Sequence, residues 1–131
     1  MIKKITFFFV TVIFFSCDFS GPIINEITTD EFKLLNSVDN VQLIDVRTVE
    51  EYKSGYIDAS LNIDFYKSSF IDSLNVLDKS KTTVVYCKSG NRSRKSALIM
   101  KSLGFKSVYN LKEGMNGWLS NRYEIIIDSL N

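Results

Sequence analysis

From about residue 27 onward, short apolar runs alternate with amphipathic stretches. Thr28 and Glu31 form a capping-box pattern that opens a helix with Phe32, Leu34 and Leu35 as its apolar positions. Residues 41–46 then read as a strand. Thr48 and Glu51 repeat the capping-box pattern for a helix of about two turns, which Gly55 ends. A second strand is predicted over 60–63, and a helix over 70–77 with Ile71, Leu74 and Leu77 at spacing three. The apolar run 83–86 is a strand that delivers Cys87. A helix over 93–103 follows, with Ala97, Leu98, Ile99 and Leu103 facing inward and Gly104 as its cap. A last short strand spans 107–109. The apolar tail at 123–127 has no place in this scheme. Such alternation predicts an α/β fold with a mostly parallel sheet covered by helices on both faces. Ligands of such sheets sit at the carboxyl ends of strands, where Asp45 and Cys87 both fall.

The first residues are of a different kind. Lys3 and Lys4 precede an almost unbroken apolar run over 5–15, too short to span a bilayer comfortably, so residues 1–16 read as a signal peptide. Cys17 follows Ser16 directly. Phe14-Phe15-Ser16-Cys17 resembles a bacterial lipobox, with Phe14 and Phe15 standing where Leu and a small residue are usual. Cys17 is thus the expected lipidation site, and residues 17–26, with Ser20, Gly21 and Pro22, the tether to a domain at 27–131. A soluble secreted protein cleaved nearby is the alternative. The lipid reading implies an exported protein, anchored to the membrane on the periplasmic side of the cell envelope.

The whole chain has 131 residues, 45% hydrophobic and 24% charged, an ordinary globular composition with room for one domain. Removal of residues 1–16 leaves 14 basic and 15 acidic side chains, a net charge of −1. No basic block remains to support nucleic-acid binding. If Cys17 carries lipid, Cys87 is a lone thiol in the envelope, and catalysis supplies a reason for it.

The loop Cys87-Lys88-Ser89-Gly90-Asn91-Arg92-Ser93 joins a strand to a helix. That junction aims backbone N–H groups and the positive end of a helix dipole at an anion. A thiol held there is biased toward thiolate, and Lys88 and Arg92 add cationic charge. Gly90 and Asn91 tolerate the positive φ that a tight cradle needs. A buried inert cysteine is the plain alternative.

The loop resembles the active-site loop of the rhodanese (thiosulfate sulfurtransferase) family: Cys, four residues, Arg, then a helix. Leu43-Ile44-Asp45-Val46-Arg47, Glu50-Glu51-Tyr52, Gly55-Tyr56-Ile57, Ala59 and Asn62-Ile63 are similar to the family's first signature, with Tyr56 in place of a His. Leu111 to Trp118 is similar to its closing Gly-rich segment. The resemblance covers about residues 27–119. It implies a five-stranded rhodanese fold and a double displacement without cofactor or metal. Cys87 would be the nucleophile, and Lys88, Ser89, Gly90, Asn91, Arg92 and Ser93 would hold a small anionic sulfur donor such as thiosulfate. A persulfide on Cys87 would then pass its sulfur to a thiol or protein acceptor. Asp45 and Arg47 read either as an ion pair bracing the loop or as part of substrate binding; Met115 and Trp118 read as core. Two other functions share this loop chemistry: an envelope sulfur carrier or redox partner with little turnover, and a cysteine phosphatase. Phosphatases of that kind place five residues between Cys and Arg, and this loop has four.

Overall fold

Five strands, all parallel, form one sheet: β1 (Asn25–Ile27), β2 (Gln42–Asp45), β3 (Leu61–Asn62), β4 (Thr82–Tyr86) and β5 (Ser107–Leu111). Their spatial order is β1-β5-β4-β2-β3. Between them run α1 (Thr29–Val38), α2 (Val49–Lys53), α3 (Phe70–Asn75) and α4 (Asn91–Ser102), with α5 (Gly114–Ser120) last. The computed structural model describes residues 24–128. The expected signal peptide at 1–16 and Cys17 lie outside the described residues. No helix among the described residues is long and apolar enough to cross a membrane.

Side chains alternate across a strand, so the sheet supplies two cores. On one face Ile44, Val46, Val85 and Val108 pack against Phe70 and Leu74 of α3 and Ala97 and Met100 of α4. On the other, Leu43, Val84, Tyr86 and Leu111 pack against Phe32 of α1 and Met115 and Trp118 of α5. The central strand β4 is therefore buried on both faces from Thr83 onward, which its β-branched sequence suits. Register sets Asp45 beside Tyr86, and Val85 beside Asn110. The sheet thus presents Asp45, Cys87 and Asn110 near one carboxyl edge.

Several predicted details shift. The sheet begins at Asn25, inside the expected tether and two residues before the expected domain start at 27. This edge strand is three residues long, and two of them, Asn25 and Glu26, are exposed, so it carries no apolar signal. Helix α5 was not predicted because Gly114 and Gly117, poor helix formers, interrupt its sequence. In α3 the buried stripe is Phe70 and Leu74, while Ile71 is 42% exposed. In α1 Phe32 is buried, but Leu34 turns outward at 71% exposure. Helix α4 starts two residues earlier than predicted, its buried face adds Met100, and Leu103 is its cap residue with Gly104 next at φ 93°. Both capping boxes form as read. The tail folds back: Trp118 Nε1 donates to the Glu124 carbonyl at 2.8 Å, and Ile126 makes an antiparallel bridge to Tyr56.

Candidate active site

Helix α4 begins at a residue with no side chain to cap it, Gly90, at φ 96°. Its free amides turn instead to the sulfur of Cys87. The Gly90 N–H lies 3.2 Å from Sγ and the Ser93 hydroxyl donates at 3.4 Å. The backbone amides of Ser89 and Ser93 point the same way. The sulfur thus does the work of a capping side chain at the positive end of the α4 dipole.

Cys87 is only 1% exposed. Burial pushes its thiol up, but the Ser93 hydroxyl and the amides of Ser93, Ser89 and Gly90 together outweigh this. The net shift is below the ordinary thiol value. The sequence predicts a thiol lowered by the loop N–H groups and the helix dipole, with Lys88 and Arg92 adding cationic charge. In the structure the loop amides take that part together with the Ser93 hydroxyl, while Lys88 is exposed and Arg92 is hydrogen-bonded to Glu51.

The loop faces inward because its carbonyls are held from behind. The Met115 N–H donates to Cys87 O at 2.8 Å and the Asn116 N–H to Lys88 O at 2.9 Å. Asn110 Nδ2, on β5, donates to Gly90 O at 3.2 Å. With those oxygens turned outward, the neighbouring amides turn toward the sulfur. Two glycines allow the close approach. A Cβ at Gly114 (φ 55°) would collide with the Cys87 carbonyl, and one at Gly90 with the Lys112 carbonyl. Asn110 and the α5 amides are site residues that sequence reasoning missed. The Leu111 to Trp118 block was the only trace of the α5 amides, and Asn110 left none.

Arg92 is half-buried and bidentate to Glu51, at 2.7 and 2.9 Å. The same Glu51 closes the capping box of α2 with Thr48, accepting the Thr48 amide at 2.9 Å. The Arg92 hydrogen bonds, against the opposing effect of burial and with help from the Thr48 amide, bring the Glu51 carboxyl down to about 2. Glu51 and then the Cys87 thiolate hold Arg92 firmly cationic. The exposed Tyr66 ring stands 5.8 Å from the guanidinium. The sequence analysis places Glu51 in a capping box and in the first signature block, with no role at the loop.

Asp45, the last residue of neighbouring β2, and Arg47 just beyond it form a buried pair 2.6 Å apart. Arg47 also donates to the Gly55 carbonyl at 2.8 Å and lies 5.7 Å from the Tyr86 ring. Tyr86 in turn hydrogen-bonds the Ile57 amide and Ser60 through its hydroxyl, and burial pushes that phenol well up. The pair therefore ties the turn after β2 to the exit of α2, alongside the Cys87 loop. Tyr56, standing where the family has a His, bonds Asp128 and stacks on Tyr52. Asn91 is exposed at the first turn of α4.

Comparisons with known proteins place the fold in a family. The chain is 27% identical over 104 residues to a sulfurtransferase of Allochromatium vinosum, covering 79% of this chain and 95% of that protein. It is 36% identical over 90 residues to a tRNA uridine(34) hydroxylase of Pelagibacter ubique, covering 68% of this chain and 30% of that protein. Of three curated relatives it matches, it spans 51%, 30% and 59% of their lengths. A crystal structure of a rhodanese-like domain protein from Staphylococcus aureus superposes with TM-score 0.70 at 33% identity, covering 81% of this chain and 100% of that one. The rhodanese-like domain matches residues 28–121, which run from the cap of α1 to the end of α5 and take in every residue of the cradle; the chain belongs to that family.

Proposed function

We propose that the domain is a sulfurtransferase that carries sulfane sulfur as a persulfide on Cys87. The observation that carries this is a sulfur buried to 1% exposure yet ringed by N–H and O–H donors from Ser89, Gly90 and Ser93. Such donors favour the thiolate, the reactive form, and stabilise negative charge that stays on or near one sulfur atom. The thiolate attacks the outer sulfur of thiosulfate or a similar small anionic donor. The donor S–S bond breaks and sulfite leaves with its electron pair. The outer sulfur of the persulfide then lies in the cradle until a thiophilic acceptor takes it. The four-residue spacing from Cys87 to Arg92 suits this single atom better than a tetrahedral phosphate.

Mass spectrometry of the soluble domain after exposure to thiosulfate tests the reading. One added sulfur on Cys87 is expected, and its absence overturns the proposal. The burial of the sulfur also favours a second reading, an envelope sulfur carrier that loads once and hands on to a protein partner. Sustained thiosulfate:cyanide turnover supports the enzyme; slow loading without turnover supports the carrier. The basic start, the apolar run and Cys17 support placement at the periplasmic side of a membrane through lipid on Cys17.

A further inference from the structure

The charges that flank the Cys87 loop cancel in pairs. Among the described residues Arg47 is bonded to Asp45, Arg92 to Glu51 and Arg94 to Glu26. Of these arginines only Arg92 belongs to the loop itself. Both its terminal nitrogens go to Glu51, and the two side chains are largely withdrawn from water, at 18% and 31% exposure. Glu51 is fixed in turn by the Thr48 amide at 2.9 Å. The loop's other cation, Lys88, is exposed, where water weakens its field. What acts on the sulfur is therefore the set of N–H and O–H dipoles from Ser89, Gly90 and Ser93. Dipoles work at short range, so they stabilise charge on the sulfur they touch and do little for charge further out.

The reaction itself fixes where a donor's charge must stand. Attack by Cys87 Sγ on the outer sulfur puts the rest of the donor one S–S bond beyond it. A charge that acts on Sγ therefore acts on that group too, and Arg92 is such a charge, because it and the Cys87 thiolate interact. We propose that Glu51 sets donor selectivity: by cancelling Arg92 it tunes the site toward singly charged sulfane donors, of the organic thiosulfonate class, over the thiosulfate dianion. Glu51 touches no reacting atom, so it is a positioning residue that acts through Arg92. The inference rests on the sulfurtransferase reading and names the donor class it leaves open. With a thiosulfonate, the Cys87 thiolate attacks the outer sulfur, the donor S–S bond breaks and the sulfinate leaves with the electron pair. The persulfide anion stays in the cradle, and no oxidant or reductant is needed.

Two donors that differ by one charge test it, thiosulfate and methanethiosulfonate, in single-turnover loading of the protein followed by mass spectrometry. Both need the same thiolate, so any change in its acidity cancels in the ratio of their rate constants, thiosulfate over methanethiosulfonate. Glu51→Gln keeps a capping side chain and removes the charge. It should raise that ratio by about three- to tenfold, the Coulomb effect of one uncancelled cation near the surface. Added salt should bring the raised ratio back toward the wild-type one. Glu51→Asp retains the charge and should hold the wild-type ratio even if both rates fall. A merely structural Glu51 would slow both donors in both variants and leave the ratio alone. A ratio unchanged in Glu51→Gln, or raised as much in Glu51→Asp, overturns the inference, as does a raised ratio that salt leaves untouched. If wild type loads sulfur from neither donor, the sulfurtransferase reading itself falls; loading from both with an unmoved ratio removes only the role of Glu51.

Discussion

Sulfur accepts hydrogen bonds weakly as a thiol and well as a thiolate, so donors crowded around a buried cysteine select the charged form. Cys87→Ser should abolish persulfide loading and turnover while leaving the circular dichroism and melting profile close to wild type. Residual transfer in a correctly folded variant sinks the assignment. Ser93 makes the larger test of the cradle, because its hydroxyl is the foremost of the groups that lower the thiol. The midpoint of the alkylation rate against pH should fall below the usual value of about 8.5 in wild type. In Ser93→Ala it should move up toward that value; an unchanged midpoint means the hydroxyl is idle. Cys87, Gly90 and Ser93 were legible in the sequence because they act within one seven-residue loop. Glu51 and Asn110 were not, because their partners Arg92 and Gly90 are 41 and 20 positions away.

At the scale of elements, the active loop is a product of two helices. Helix α4 supplies its amides and α5 fastens its carbonyls, so Gly114, where the two approach, is the position most sensitive to one methyl group. Gly114→Ala forces a side chain into positive φ and against the Cys87 carbonyl. It should cost about 1–3 kcal/mol in denaturant unfolding and slow persulfide loading by more than that loss explains. Loading at the wild-type rate would show that α5 does not set the loop. The Glu51–Arg92 pair links α2 to α4 and has a pH signature. The Glu51 carboxyl lies at about 2 in the folded protein against an ordinary 4.5. A depressed carboxyl stabilises the fold above the unfolded value and loses that contribution as pH falls from about 4.5 toward 2. Glu51→Gln retains a helix-cap side chain but removes the charge, so the acid limb of its stability profile should be flatter. An identical limb in both proteins contradicts the coupling. Strands β2 and β4 were legible from β-branched runs, whereas α5 hides behind its glycines and β1 behind polar edge residues.

For the whole molecule, the edge strand β1, the first element of the described residues, begins eight positions after the expected lipidation site Cys17. Cys17→Ala, expressed in cells given labelled palmitate, should lose the label and either stay uncleaved or release the domain. Transfer activity of the isolated domain should be untouched. Label persisting in the variant, or wild type wholly in the soluble fraction, removes the lipid reading. The alternation of strands and helices made the layered architecture legible from the sequence. It could not reveal that the site depends on α5, well downstream of the loop. Cys87 is synthesised well before Met115 and Asn116, whose amides turn its loop. A chain in which α5 has not yet formed is therefore expected to hold an ordinary, sluggish thiol. On that expectation the nucleophile matures only when α5 docks, which spares the emerging chain from stray oxidation and mixed disulfides until then.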